Sequence, residues 1–171
     1  IKKRGEYFGF VSESDKEVIE CKYSFAFPFD RQSKLSVVRD INNKWGCIDT
    51  TGKNIIPHIY DIMNDVFIDG KNFAIKDNYL ILINTKGEEL RKIYGYIYII
   101  PKLQENEIIA YNVIKQQYDV YDFYGNILLE DCFNEANIKQ HKRFYWYHKS
   151  LWGGFTYNQR DDINDSMFFL P

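Results

Sequence analysis

The sequence predicts an all-β protein, an array of about five strand–turn–strand repeats of roughly 35 residues each. Three observations predict this class. A turn motif with Asp or Asn at its first position and Gly at its fourth recurs at residues 49–52, 84–87 and 122–125. Apolar residues recur at fixed distances from these turns. Aromatic residues make up 18% of the chain, and such side chains favour short strands, where they pair across the sheet.

The turn motif itself predicts a tight hairpin. Asp and Asn side chains accept hydrogen bonds from backbone amides two residues on, and Gly supplies the positive φ that such loops need. A weaker copy occupies residues 12–15, where Asp15 stands in the left-handed position.

An apolar residue opens each repeat, four positions before the turn. These residues are Phe8, Trp45, Leu80, Tyr118 and Trp152. A second column follows the turn and is mostly aromatic. Its members are Tyr23, Tyr60, Tyr94, Phe133 and the pair Met167 and Phe168. We expect Trp45, Leu80, Tyr118 and Trp152 to be buried at equivalent sites.

Strand alternation predicts how the repeats pack. Trp45 and Cys47 point to one face of their strand, and Gly46 and Ile48 point to the other. Because both faces carry apolar residues in most copies, we expect neighbouring repeats to cover both. Gly46 would allow a close backbone approach. We therefore expect an open β-solenoid-like stack; a closed propeller-like ring is the alternative, although roughly 35 residues is short for a four-stranded blade.

The repeats divide a single domain, residues 1–171, into units near 1–40, 41–77, 78–113, 114–149 and 150–171. Residues 31–43 form a polar join, and the third unit has a shorter interval after its turn glycine, which predicts a bulge or a shifted register there. Since the chain starts at Ile1 in the phase of a repeat's last strand, we expect a fragment or a processed chain.

Composition restricts the partners. A net charge of −2 and a pI near 6.0 argue against a nucleic-acid partner. No apolar run is long enough to span a membrane. The three cysteines, Cys21, Cys47 and Cys132, predict buried thiols without a disulfide framework and favour the cytoplasm. A removed signal peptide would favour secretion or the cell envelope instead.

One segment carries a family resemblance. It contains Lys-Trp-Gly-Cys-Ile-Asp-Thr-Thr-Gly-Lys at 44–53, Ile-Ile-Pro-His-Ile-Tyr-Asp at 55–61 and Phe-Ala-Ile-Lys at 73–76. This segment resembles the WG-containing repeat, a family found mainly in bacteria. The resemblance implies a non-catalytic β-repeat domain and supplies no catalytic motif, metal site or cofactor.

Residue patterns for chemistry agree with that implication. The three histidines, His58, His141 and His148, match no zinc-binding spacing. The acidic run at 161–165 lacks the glycine and the terminal glutamate of a calcium loop. No nucleotide-binding or nucleophile motif is present. We expect no enzyme, no catalytic residues, no metal and no cofactor.

The largest departure from the repeat is the segment 139–149, where basic residues flank four consecutive aromatics. Alternation assigns Phe144 and Trp146 to packing and leaves an outward set, which we predict to bind a partner: Arg143, Tyr145, Tyr147 and Lys149. A partly buried strand with solvated ends and a surface for nucleic acid or sugar are the alternatives.

The sequence thus predicts a non-enzymatic protein-binding repeat module. Neutralising a toxin, as an immunity protein does, and scaffolding a bacterial complex are the roles that suit it. The alternative is a carbohydrate or cell-envelope binding module, in which exposed aromatic rings stack on sugars.

Overall fold

The computed structural model describes residues 1–102 and 107–134, which form fifteen strands and no helix. The strands build four antiparallel sheets. Sheet A contains β1 (Lys2–Arg4), β2 (Tyr7–Val11) and β3 (Glu17–Tyr23). Sheet B contains β4 (Phe25–Ala26), β5 (Ser36–Arg39), β6 (Trp45–Ile48) and β7 (Asn54–Tyr60). Sheet C contains β8 (Ile62–Met63), β9 (Lys71–Lys76), β10 (Tyr79–Asn84) and β11 (Glu89–Tyr94). Sheet D contains β12 (Tyr96–Lys102), β13 (Glu107–Asn112), β14 (Gln117–Asp122) and β15 (Ile127–Asn134).

Each sheet is a meander in which strands pair in chain order. The chain passes from one sheet to the next through a single residue: Ser24, Asp61 or Gly95. The first two of these joints are tied into the sheet that follows, because the Ser24 amide donates to the Arg39 carbonyl at 2.9 Å and the Asp61 amide donates to the Ile75 carbonyl at 2.8 Å.

The sheets stack in chain order, and hydrophobic clusters join them. One cluster lies between sheets A and B and includes Tyr23 and Val38. A second joins sheets B and C, and a third joins sheets C and D. A fourth lines the other face of sheet D, around Tyr118. The expectation that both faces of the central strands are covered is confirmed, and no sheet closes into a barrel.

The predicted hairpin turns are confirmed. At residues 49–52 the Gly52 amide donates to the Asp49 carbonyl at 2.9 Å, and Asp49 Oδ1 accepts from the amides of Thr51 and Lys53. The turns at 84–87 and 122–125 repeat this pattern with Asn84 and Asp122 as acceptors. Asp15 has a φ of 58°, as the left-handed position requires.

Each turn glycine also packs on the preceding sheet. A Cβ on Gly52 would lie 3.3 Å from the Ile19 side chain, and a Cβ on Gly87 would lie 3.3 Å from the Ile55 carbonyl oxygen. A Cβ on Gly125 would lie 3.2 Å from the Arg91 Cδ. The turns therefore close each hairpin and fit it against its neighbour.

Burial of the opening residues follows the prediction in part. Leu80 and Tyr118 are each 1% exposed, whereas Trp45 is half-buried among Phe25, Phe27 and Arg39. Trp152 lies outside the described residues.

Two cysteines in the described part of the chain are free thiols: Cys47 is buried and Cys21 is partly buried. Burial raises the pKa of the Cys47 thiol far above its usual range. The Cys132 side chain is not among those described.

The polar join contains a turn that the sequence pattern did not predict. The Asp40 side chain accepts from the amides of Asn42 and Lys44, and Asn43 adopts a φ of 62°. This turn links β5 to β6 with the same side-chain device as the predicted turns, but without a glycine.

Candidate interaction surface

The predicted partner-binding residues Arg143, Tyr145, Tyr147 and Lys149 lie outside the described residues, and their role stays a prediction. Within residues 1–102 and 107–134, the clearest departure from the repeat lies in sheet C. We describe the geometry of sheet C by comparison with that of sheet B.

In sheet B the return strand β7 bows over Gly46. Trp45 pairs with Tyr60 and Cys47 pairs with Ile56, so three residues of β7 lie opposite Gly46 alone. A Cβ on Gly46 would lie 2.6 Å from the Ile56 carbonyl oxygen, too close for any side chain. Sheet B therefore needs glycine at this position, where the backbone of β7 makes the close approach that Gly46 was expected to allow.

Sheets A and D carry the same bulge. Phe8 pairs with Tyr23 and Phe10 with Ile19, while Tyr118 pairs with Phe133 and Val120 with Leu129. In sheet A, Gly9 faces the bulge, and a Cβ there would lie 2.5 Å from the Ile19 carbonyl oxygen.

Sheet C lacks this bulge. The residues 91–94 pair one-to-one with residues 82–79, with Leu80 opposite Ile93. Ile81, 0% exposed, fills the position that Gly46 holds in sheet B. Relative to sheet B, β11 has lost the two extra residues, so of the two features predicted for the third unit, a bulge or a shifted register, this part of the strand shows the shifted register. A smaller register shift, between Leu82 and Ile83, has counterparts in the other three sheets.

The lost residues move the second column by one position. Ile93, not Tyr94, pairs with Leu80 and packs against the cluster between sheets C and D. Tyr94, which the sequence spacing placed in the second column, is 57% exposed. Tyr94 contacts Tyr79 with ring centroids 5.0 Å apart, and Lys92 Nζ lies 4.3 Å from the Tyr79 centroid.

The whole of β11 is accessible. Each of its residues is exposed except Ile93, which is partly buried. Leu90 is 49% exposed. Arg91 is held in place because its guanidinium donates to the Gly125 carbonyl of sheet D. We define the β11 surface as Leu90, Lys92 and Tyr94 together with Tyr79.

A second candidate is a cavity of about 250 Å³ between the corner loops of sheets B and C. It is lined by Asp30, Gln32, Ser33, Phe67, Gly70 and Thr85. Partial burial acts to raise the pKa of Asp30, but hydrogen bonds from Ser33 and Gln32 outweigh it and lower that pKa. Because the carboxylate is already engaged inside its own loop, it offers little to a ligand.

A third candidate is a buried polar cluster in sheet D. The Tyr96 hydroxyl donates to the carboxylate of Asp119, which is 0% exposed, and lies 2.7 Å from the Tyr121 hydroxyl. Burial, followed by the hydrogen bond to Asp119, raises the pKa of Tyr96. This cluster is enclosed between sheets C and D, so a substrate has no access to it.

The chemistry of the described ranges is limited in two further respects. Across residues 1–102 and 107–134, no three His, Cys, Asp or Glu side chains converge in a way that could hold a metal ion. The same residues include no helix with the length and apolarity needed to cross a bilayer.

Comparison with known proteins gives one family. Residues 8–45 and 45–79 each match the family model described as WG containing repeat. The matches meet at Trp45 and therefore follow the period of the opening residues. No curated protein matches the chain.

Proposed function

Because residues 8–79 consist of two consecutive WG-containing repeats, we propose that the chain is a non-enzymatic repeat module that binds another protein. The stack of sheets serves as a rigid support, and the partner contacts the place where the repeat pattern is broken. Neutralising a bacterial partner protein and scaffolding a complex are the two roles that such a module suits.

The observation that carries the proposal is the exposure of the β11 surface. Tyr94 and Leu90 are about half exposed, at 57% and 49%, on a strand that forms one edge of sheet C among the described strands. Tyrosine is enriched in interface hot spots because it combines a large apolar ring with a polar hydroxyl. Lys92 adds a charge next to the ring pair.

Two features of the described residues favour binding over catalysis. The most strongly perturbed titratable groups, Cys47 and Tyr96, are enclosed in the stack. His58 is stacked on Tyr23, with ring centroids 5.9 Å apart, and not beside a nucleophile. A general base must lie within hydrogen-bonding reach of the group that it activates.

A carbohydrate-binding or cell-envelope module is the second candidate. It is favoured by Tyr124, which is 63% exposed and donates from its hydroxyl to Asp69 at 3.0 Å. Aromatic rings with neighbouring carboxylates suit sugars, but Lys71 Nζ lies 4.3 Å from the Tyr124 centroid and covers part of that ring.

Site-specific photo-crosslinking in the native host tests the proposal. A photoreactive residue at position 94 should capture a defined protein, and one at position 7 on sheet A, where Tyr7 is 45% exposed, should not. The purified partner is then titrated against Leu90→Asp combined with Tyr94→Ala. We expect a loss of affinity of about tenfold or more, equivalent to about 1.4 kcal/mol, at an unchanged melting temperature.

Val18→Asp on sheet A is the matched control, since Val18 is 52% exposed on the return strand β3. Its affinity should equal that of the parent chain. Arg143→Ala combined with Tyr145→Ala tests the predicted surface at 139–149 in the same titration. If Leu90→Asp combined with Tyr94→Ala binds the partner as the parent does, the β11 proposal fails, and a loss seen only in the 139–149 variant would place the contact there. Glycan binding that is lost in Tyr124→Ala would support the second candidate.

A further inference from the structure

We propose that β11 binds an extended, acidic segment of the partner protein as an additional strand of sheet C. This inference rests on the protein-binding function proposed above and specifies how the partner is recognised. It follows from the direction of the backbone groups of β11, from the differences between the sheet edges, and from the charge of the strand.

The pairing of β9, β10 and β11 fixes which backbone groups face outward. β9 and β10 are joined by a two-residue loop, Asp77 and Asn78, with φ values of 52° and 62°. Such a loop is closed by a hydrogen-bonded pair, here Lys76 and Tyr79. Hydrogen-bonded and non-hydrogen-bonded pairs alternate in an antiparallel ladder.

Tyr79 therefore bonds to β9, and Leu80 and Leu82 bond to Ile93 and Arg91 on β11. The amide and carbonyl groups of Lys92 and Tyr94 consequently point away from sheet C. These groups are the donors and acceptors that an added strand uses.

Among the strands of residues 1–102 and 107–134, the other long edges are unsuited to strand addition. The return strands β3, β7 and β15 carry the bulge, which bends a strand and breaks its pattern of donors and acceptors. On the opposite edges, β4 and β8 have only two residues each. The remaining long edge, β12, is largely buried, with Tyr96 2% and Ile100 4% exposed.

The charge of β11 selects the occupant. Arg91 and Lys92 lie at the middle of the strand, and Lys92 is exposed. In the self-pairing register with the longest overlap, Lys92 of one copy would lie opposite Lys92 of a second copy, and like charges directly opposite destabilise a pair. A foreign strand with Asp or Glu opposite Lys92 gains an attractive pair instead. The geometry therefore favours an acidic segment over a second copy.

The regular part of β11 limits the length of the segment. Four residues pair one-to-one with β10, so about five residues of the partner, spanning ~17 Å, would lie along the edge. Side chains on one face of that segment would contact Tyr79 and Tyr94.

The probe is a display library of random peptides of about twelve residues, longer than the edge, selected against the full chain. We expect selected peptides to alternate β-branched or aromatic residues with polar ones and to carry a central acidic residue. Replacing that residue with lysine should weaken binding about fivefold or more. N-methylation of alternate backbone amides should weaken binding about tenfold or more for one set of amides and leave it unchanged for the other.

Lys92→Pro is the variant on the protein side. It removes an outward amide that sheet C does not use, so the pairs with β10 are kept. We expect it to weaken the selected peptides about tenfold or more, whereas Lys92→Ala, which keeps the amide, should weaken them about threefold through the lost charge. Val18→Ala on β3 should bind as the parent does.

Each outcome decides between the two proposals. If Leu90→Asp with Tyr94→Ala weakens partner binding while Lys92→Pro and N-methylation leave binding unchanged, the binding function stands and strand addition fails. If none of these changes affects binding, both fail. A dimer in sedimentation that Lys92→Pro converts to monomer assigns the edge to a second copy and overturns the acidic segment. The N-methylated peptides keep the test decisive if Lys92→Pro lowers the melting temperature.

Discussion

Sheets B and C are neighbouring copies of one meander, and they differ at the return strand. In sheet B, β7 carries two extra residues that bow over Gly46. In sheet C, β11 lacks them, and Ile81 occupies the corresponding position with 0% of its surface exposed. Gly46 and Ile81 lie on the same face of their strands and at the same distance from the turn that follows.

The comparison indicates that Gly46 and the bulge of sheet B depend on each other. In sheet B the bulge brings the backbone of β7 to where a Cβ on Gly46 would be, so this position needs glycine. In sheet D the same bulge lies opposite Asp119, so the requirement depends on the sheet. Once the bulge is absent, the same position accepts a large side chain, which packs into the cluster between sheets B and C. The sheet with the bulge has a protected edge, and the sheet without it has an edge open to pairing.

The largest expected effect comes from giving sheet B the side chain of sheet C. Gly46→Ile places Cβ 2.6 Å from the Ile56 carbonyl oxygen and 2.9 Å from the His58 amide nitrogen. Because backbone must move to relieve the contact, we expect a loss of about 3 kcal/mol in the free energy of unfolding, measured by denaturant titration.

A compensating deletion sharpens this test. Removing Pro57 and His58 from Gly46→Ile makes the interval from Gly52 to Tyr60 equal to that from Gly87 to Ile93, and we expect the combined variant to be more stable than Gly46→Ile alone. If the deletion adds to the loss, the glycine and the bulge are independent features.

A smaller effect is expected at the turn of sheet C, where it meets β7. Gly87 has a φ of 83°, and a Cβ there would lie 3.3 Å from the Ile55 carbonyl oxygen. We expect Gly87→Val to cost about 2 kcal/mol, from the strained backbone and the contact with the neighbouring sheet. Circular dichroism during thermal unfolding would measure it.

Gly5 is the matched control, because it has a φ of 61° and a Cβ there would have no atom within 4 Å. Gly5→Val should cost about 1 kcal/mol less than Gly87→Val, since it carries backbone strain alone. Equal losses would mean that the turn of sheet C contributes nothing to stacking.

The smallest expected effect is a pH dependence of stability that arises in sheet B. His58 lies on the bulge of sheet B, and its Nε2 atom is buried without a hydrogen-bond partner among the described residues. Burial lowers the pKa of His58 below its ordinary value of 6.5, with Lys22 acting in the same direction and Asp40 opposing it.

The unfolded chain then binds more protons at His58 than the folded chain does. The stability that the neutral His58 contributes is therefore complete above pH 6.5. The contribution declines as pH falls below that value through the folded pKa. We expect His58→Phe, which keeps a ring against Tyr23, to flatten this part of the stability profile between neutral and mildly acidic pH. A profile unchanged in His58→Phe would assign the decline to other groups.

The sequence predicted the elements that depend on local chemistry. Asp49, Asn84 and Asp122 accept the amide hydrogen bonds expected of them, and the all-β class and the stacked repeats are confirmed. The turn at Asp40 was missed because Asn43 adopts the left-handed conformation that glycine adopts in the turns at 49–52, 84–87 and 122–125.

The register of the third unit could not be predicted, for a physical reason. The interval after Gly87 is shorter than that after Gly52, but the count does not show where in the strand the residues are missing. A bulge can gain or lose residues without changing the turn. The sequence spacing therefore placed Tyr94 in the second column, at the position that Ile93 occupies. The shortened interval after Gly87 was nevertheless the sequence signal of the β11 surface, because an edge strand without a bulge is open to pairing.

The single-residue joints between sheets have a mechanical consequence. Ser24, Asp61 and Gly95 leave no slack, since one extended residue adds only about 3.5 Å. The joints cannot extend further when a force is applied to the two ends of the described chain. The force would therefore act directly on the packed faces of the sheets. We expect the stack to yield one sheet at a time, each step releasing roughly 35 residues or about 120 Å of chain length.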